Sequence, residues 1–179
     1  MARIALLCGK VCSGKSTFRE RLERERGFMG LEADEWMLRL YGEGLCEPAR
    51  DRAVFDRRLA ACTALLHDLA ERMLTCGVDV AIDTGFWTRG ERAAARARFG
   101  ALGHETALVF FDVGFETQVA RAKARQAAPG ARHYEFDEGA ITELNALFEP
   151  IGAEEGAARP EAYIASLAPP RPMLEKVIP

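Results

Sequence analysis

Three features of the sequence predict a three-layer α/β fold, a mostly parallel sheet with helices on both faces. A glycine-rich segment lies between a strand-like and a helix-like run, several short runs are almost wholly apolar, and helical stripes alternate with them. Short, wholly apolar runs suit strands covered on both faces, because neither side of such a strand meets water. In a sheet of this kind a ligand belongs at the carboxyl ends of the strands.

The elements follow in order. Residues 3–8 form an apolar run ending at a glycine and read as the first buried strand. Residues 16–26 read as a helix stopped by Gly27, and residues 28–33 as a weaker second strand. Phe55, Leu59, Cys62, Leu66, Leu69 and Met73 recur four and three apart, one apolar stripe along a helix that Gly77 terminates. Residues 78–82 are the next buried strand, and residues 88–99 an Arg/Ala-rich helix stopped by Gly100. Residues 106–113 make the most apolar strand, with a helix after it through about Gln126. Asp137 opens a short helix with Ile141, Leu144 and Phe148 on one side. Beyond Pro150 the chain is rich in Gly, Ala and Pro; residues 162–167 are expected to supply a last strand, and the tail from about 168 to 179 to be loosely held.

No repeat or low-complexity linker interrupts the 179 residues, so one domain over 1–179 is expected, with a lid at about 126–136. A net charge of −3 argues against a general nucleic-acid binder, which carries a basic surplus. No apolar run approaches the length that spans a bilayer, so no membrane partner is expected. The five cysteines (Cys8, Cys12, Cys46, Cys62 and Cys76) form no CxxC pair and have no histidine at zinc-site spacing. Free thiols in a reducing cytoplasm are the expectation.

The decisive motif is Gly9-Lys10-Val11-Cys12-Ser13-Gly14-Lys15-Ser16-Thr17, a match to GxxxxGK[ST] after a strand and before a helix. Its glycines let the backbone curl so that N–H groups point inward at phosphate oxygens, and the helix N-terminus adds partial positive charge. Lys15 is expected to reach the β- and γ-phosphates of ATP, and the Ser16 hydroxyl to serve Mg²⁺. The same inward N–H groups favour a thiolate at Cys12. No NKxD guanine-reading motif exists, since Asn145 is the only asparagine, and no LSGGQ signature is present. These absences favour a small kinase over a GTPase or a transporter ATPase.

Further motifs follow the loop: Ala33-Asp34-Glu35-Trp36, then Ile82-Asp83-Thr84-Gly85-Phe86-Trp87-Thr88-Arg89 with Arg92 behind it, then Arg121 to Arg125 and Phe148-Glu149-Pro150. Over roughly residues 3–150 this order resembles the small AAA-domain kinases related to zeta toxin, chloramphenicol phosphotransferase and polynucleotide kinase. The resemblance implies an adenylate-kinase-like core with a small lid, Mg-ATP as donor and a hydroxyl acceptor. It also implies that Asp34 takes the acceptor's proton, and it favours Arg92 as a residue near the site.

Several residue types allow two readings. Asp34 suits a catalytic base or a helix N-cap, with Glu35 as the stand-in base. Asp83 suits a magnesium or acceptor-facing carboxylate, or a cap. Asp79, expected inside its strand, reads as structural. Arg89, Arg92 and Arg96 share one helix face, either a solvated basic surface or, for Arg89 and Arg92, a contact to acceptor or phosphate. Arg121 and Arg125, one helical turn apart, are expected to bind ATP and stabilise charge on the transferring phosphoryl group, ahead of Arg132. His133 reads as a surface histidine, and Trp36 and Trp87 as pocket walls or core. A small-molecule hydroxyl is the expected acceptor. A nucleic-acid 5′-end, supported only by the basic helix, is disfavoured, and a slowly hydrolysing ATP switch is the third reading.

Overall fold

The structure is a computed structural model that describes residues 1–42, 52–127 and 134–168. Four parallel strands form one sheet in the order β2-β3-β1-β4: β1 (Arg3–Gly9), β2 (Met29–Glu32), β3 (Val80–Gly85) and β4 (Glu105–Phe111). The helices are α1 (Lys15–Arg26), α2 (Ala33–Tyr41), α3 (Arg52–Thr75), α4 (Arg89–Ala101), α5 (Phe115–Gln126), α6 (Glu138–Ala146) and α7 (Pro160–Ser166).

Every residue of β1 is buried, and its alternation builds both interfaces. Ile4, Leu6 and Cys8 face one way, into a core with Leu66, Ala70 and Leu74 of α3 and Ala95 and Phe99 of α4. Ala5 and Leu7 face the other way, against Phe18 and Leu22 of α1 and Tyr163 and Ile164 of α7. The expected three layers are therefore present. Below the sheet's amino edge, Asp79 precedes β3 rather than lying within it, and Arg3 donates to it from the backbone (2.7 Å) and from Nε (2.9 Å) and Nη2 (2.6 Å). A buried carboxylate held this fully is structural.

Three expectations about elements are corrected. Residues 162–167 are not a strand: Pro160 starts α7, and Tyr163, Ile164 and Leu167, spaced as a helical stripe, pack on the sheet. The edge of β4 instead receives a single parallel bridge, Val109 to Ala158. Gly100 does not stop α4, which runs to Ala101; Gly103, at φ 74°, adopts the left-handed conformation that turns the chain. β3 runs on through Asp83 to Gly85, and β2 ends at Glu32, so Asp34 is the second residue of α2 rather than the end of a strand. Most of the expected lid, with Arg132 and His133, and nearly all of the expected tail lie outside the described residues.

Candidate phosphoryl-transfer site

The phosphate loop links β1 to α1 and closes on itself. A Cβ at Gly9 would lie 2.9 Å from the Phe111 carbonyl oxygen and 2.9 Å from Ser13 Oγ, so only glycine fits there. Gly14, the N-cap of α1, sits at φ 101°, and a side chain there would press on Arg121 Nη1 at 3.2 Å. The Lys15 ammonium donates to the carbonyls of Gly9 (3.0 Å) and Lys10 (2.9 Å), which holds it across the loop. Arg121 donates from Nη1 to the carbonyls of Cys12 (3.3 Å) and Ser13 (2.7 Å), bracing the loop from α5. Beside it, Gln118 donates to the Val11 carbonyl at 2.8 Å. Cys12 itself, at φ 55°, is buried against Ala122 and Ile141. The Cys12 side chain is thus enclosed by α5 and α6.

The carboxylates come from adjacent strand ends. β2 and β3 pair in register so that Glu32 lies opposite Asp83, and both reach the Ser16 side chain. Ser16 Oγ is 3.0 Å from Asp83 Oδ2 and 3.3 Å from Glu32 Oε1. Lys15 Nζ is 4.0 Å from Asp83 Oδ1. Arg19, one turn along α1 from Ser16, donates to Glu32 Oε2 at 2.9 Å. Neither Glu32 nor Arg19 was singled out in the sequence. The available signal was an acidic residue ending β2 two positions before Asp34.

Asp34 keeps contact with solvent, yet protein crowds it closely enough to push its carboxyl up to about 6. That crowding is the main cause and the Asp83 carboxylate the second, while Lys15 and Arg125 pull the other way. Water reaching the side chain moderates the shift without reversing it. Asp34 thus shares its electrostatic surroundings with Asp83, Lys15 and Arg125. The N-cap of α2 is Glu32, with no side-chain cap bond, so Asp34 is not the cap.

Two of the expected arginines are engaged elsewhere. Arg92 is fully buried. It donates to Glu155 at 2.5 Å from Nε and 3.0 Å from Nη2, and to the carbonyls of Phe86, Trp87, Glu149 and Pro150. This corrects the substrate-binding reading of Arg92, whose guanidinium has no surface to offer and instead ties the segment after β3 to residues 149–155. Arg89 is exposed and pairs with Glu154, while its backbone N–H donates to Glu149 at 2.6 Å. Trp36 packs in the core with Met37, Cys62 and Phe55, so for Trp36 the core reading holds. A cavity of about 420 Å³ between α5 and α6, bounded by Val119, Gln126, Phe136 and Ile141, shares no lining residue with the Lys15–Asp34 cluster.

Ser16, Asp83 and Glu32 offer hard oxygen donors, the chemistry that suits Mg²⁺. Among the described residues no group of three or more His, Cys, Asp or Glu forms a complete protein cage. Mg²⁺ keeps waters and phosphate oxygens alongside one or two carboxylates.

Burial pushes Glu32 up to about 7, and the neighbouring Asp83 adds to it, with Arg19 opposing. A carboxyl raised on folding binds more protons in the native than in the unfolded chain. Its stabilising contribution is present below about 4.5 and lost as pH rises through about 7. Glu32→Gln, neutral at every pH, is therefore expected to raise the stability of the metal-free protein at pH 8 by about 1–3 kcal/mol. The gain should shrink toward pH 5. Denaturant unfolding of both proteins at the two pH values measures it, and an equal gap at both would refute it.

The AAA domain family profile matches residues 4–151, and the chain belongs to that family. It has the fold of P-loop kinase-like domains. A chain from an RNA repair complex superposes with TM-score 0.64 at 20% identity, covering 82% of this chain and 43% of that one. A sugar kinase from Janibacter superposes with TM-score 0.63 at 16% identity, covering 92% and 91%. A gluconokinase from Sinorhizobium meliloti gives TM-score 0.58 at 17% identity, covering 88% and 81%. No curated protein matches the sequence significantly. Among the described residues no helix is long and apolar enough to cross a membrane.

Proposed function

We propose that the chain is an ATP-dependent phosphotransferase, one cytoplasmic domain with a lid over about 126–136, that moves the γ-phosphoryl group of ATP to a hydroxyl of a small molecule. The observation that carries this reading is the accessible Asp34 carboxylate set beside the phosphate loop, in the field of Lys15 and Arg125. A loop that only binds or hydrolyses ATP has no need of a base on that side.

In this reading the backbone N–H groups of residues 9–17 cradle the phosphates, and Lys15 moves from the loop carbonyls to the β- and γ-phosphates. Ser16 and Asp83 hold Mg²⁺, which when bound would neutralise charge between those phosphates. Asp34 accepts the proton of the acceptor hydroxyl and orients it for in-line attack. Arg125, and Arg121 once drawn from the loop, balance charge on the moving phosphoryl group. A polynucleotide acceptor would need a basic channel, and three of the arginines of the basic helix α4 are paired with acids while Arg96 donates to the Glu155 carbonyl. Arg89 pairs with Glu154, Arg92 with Glu155, and Arg98 with Asp68 and Glu71.

Incubation with γ-labelled ATP, Mg²⁺ and a panel of sugars, antibiotics, other alcohols and 5′-hydroxyl oligonucleotides tests the reading. Label is expected on a small hydroxyl compound. Label on oligonucleotides alone would replace the acceptor class, and slow release of phosphate with every panel member would favour the switch.

A further inference from the structure

Glycine at position 30 has a steric reason. A Cβ there would lie 2.8 Å from both Cγ and Nη1 of Arg19 and would collide with Glu23 Oε1. Only glycine lets the Arg19 side chain lie flat across β2. In that position Arg19 is 11% exposed and spans two carboxylates, donating from Nη1 to Glu23 at 2.9 Å and from Nη2 to Glu32 Oε2 at 2.9 Å. One oxygen of Glu32 is thus held, and the other, Oε1, is turned to Ser16 Oγ.

That contact is one too many for a hydroxyl. Ser16 has a single proton to donate. Asp83 Oδ2, at 3.0 Å, is the nearer acceptor, while the 3.3 Å to Glu32 Oε1 exceeds the usual O–H···O range. Two carboxylates aligned by strand register converge on one hydroxyl oxygen, an arrangement that a proton on Glu32 or a cation accommodates; beside a phosphate loop the cation is the one a bound nucleotide would bring. We infer that Glu32 is a carboxylate of the divalent-cation site with Ser16 and Asp83, held in place by Arg19 over Gly30. The inference rests on the phosphotransfer reading for the presence of the cation. It adds a second acidic group, and with it a greater demand for a divalent ion than Ser16 and Asp83 alone would create.

Mn²⁺ binding, followed by loss of the free Mn²⁺ signal in electron paramagnetic resonance, reads this without any acceptor. With ADP present, Glu32→Gln is expected to weaken Mn²⁺ binding at least ~10-fold, on the scale seen when a group supporting a metal site is removed. Arg19→Met should weaken it less, and Glu32→Asp, which keeps the charge but shortens its reach, should fall between wild type and Glu32→Gln. ADP affinity in the presence of a chelator should be unchanged in all three. Wild-type Mn²⁺ affinity in Glu32→Gln would overturn the inference. So would an equal loss of metal-free ADP affinity, which would make Glu32 a support of the loop. Failure of the wild-type protein to bind Mn²⁺ and ADP would overturn the phosphotransfer reading as well, which separates the two failures.

Discussion

Lys15→Ala is expected to lower phosphoryl transfer at least ~100-fold, the scale of removing one preorganised electrostatic stabiliser. The ammonium is already gathered into the loop by the carbonyls of Gly9 and Lys10 and lies 4.0 Å from Asp83. Its charge is therefore preorganised, and ATP has only to take the place of two carbonyl contacts. The substitution leaves those carbonyls without a donor, but they belong to a loop open to ligand, where water substitutes at little cost. Folding should survive, and the loss should appear in kcat as well as in KM for ATP, because charge on the transferring group grows toward the transition state. Steady-state kinetics on protein of verified thermal stability measures it. Near-normal turnover would remove the phosphate loop from the chemistry.

The parts legible in the sequence were those written locally. The phosphate loop declares itself because three glycine and lysine positions meet a geometric demand within eight residues. The long helix declares itself because Phe55 to Met73 keep one face apolar for five turns. What escaped depended on partners distant in sequence. Arg92 lies on the same helix face as Arg89, and nothing local distinguishes a solvated arginine from one buried against Glu155, 63 positions away. Glu32 gains its place from strand register with Asp83, and Arg19 from the missing side chain at Gly30. Both are facts of pairing that a linear pattern does not carry. The segment at 162–167 misled for a different reason. Tyr163, Ile164 and Leu167 are apolar enough for a strand, but Pro160 at the first helical position decides for a helix.

Asp34→Asn divides a phosphotransferase from a protein that merely binds ATP. Asn keeps the side-chain shape and removes the carboxylate, so it cannot take a proton from an acceptor hydroxyl. The expected loss of transfer is about 10²–10⁴-fold, the range of a general base. The structure also says what should not change. Asp34 is not the cap of α2. A carboxylate in the first helical turn contributes about 0.3–1 kcal/mol through the helix dipole, which Asn forfeits. Against this, Asn relieves the repulsion from Asp83 that helps to raise the Asp34 carboxyl. The two effects oppose, and the melting temperature is expected to move by no more than a few degrees. ATP affinity should persist, because Lys15, Ser16 and the loop backbone are untouched. Thermal stability, nucleotide binding and transfer measured on one preparation decide the matter. Unchanged transfer would shift the base to Glu35 or Asp83. Loss of ATP affinity together with transfer would make Asp34 a third acid of the cation site, and the acceptor would then have to be oriented by a different group.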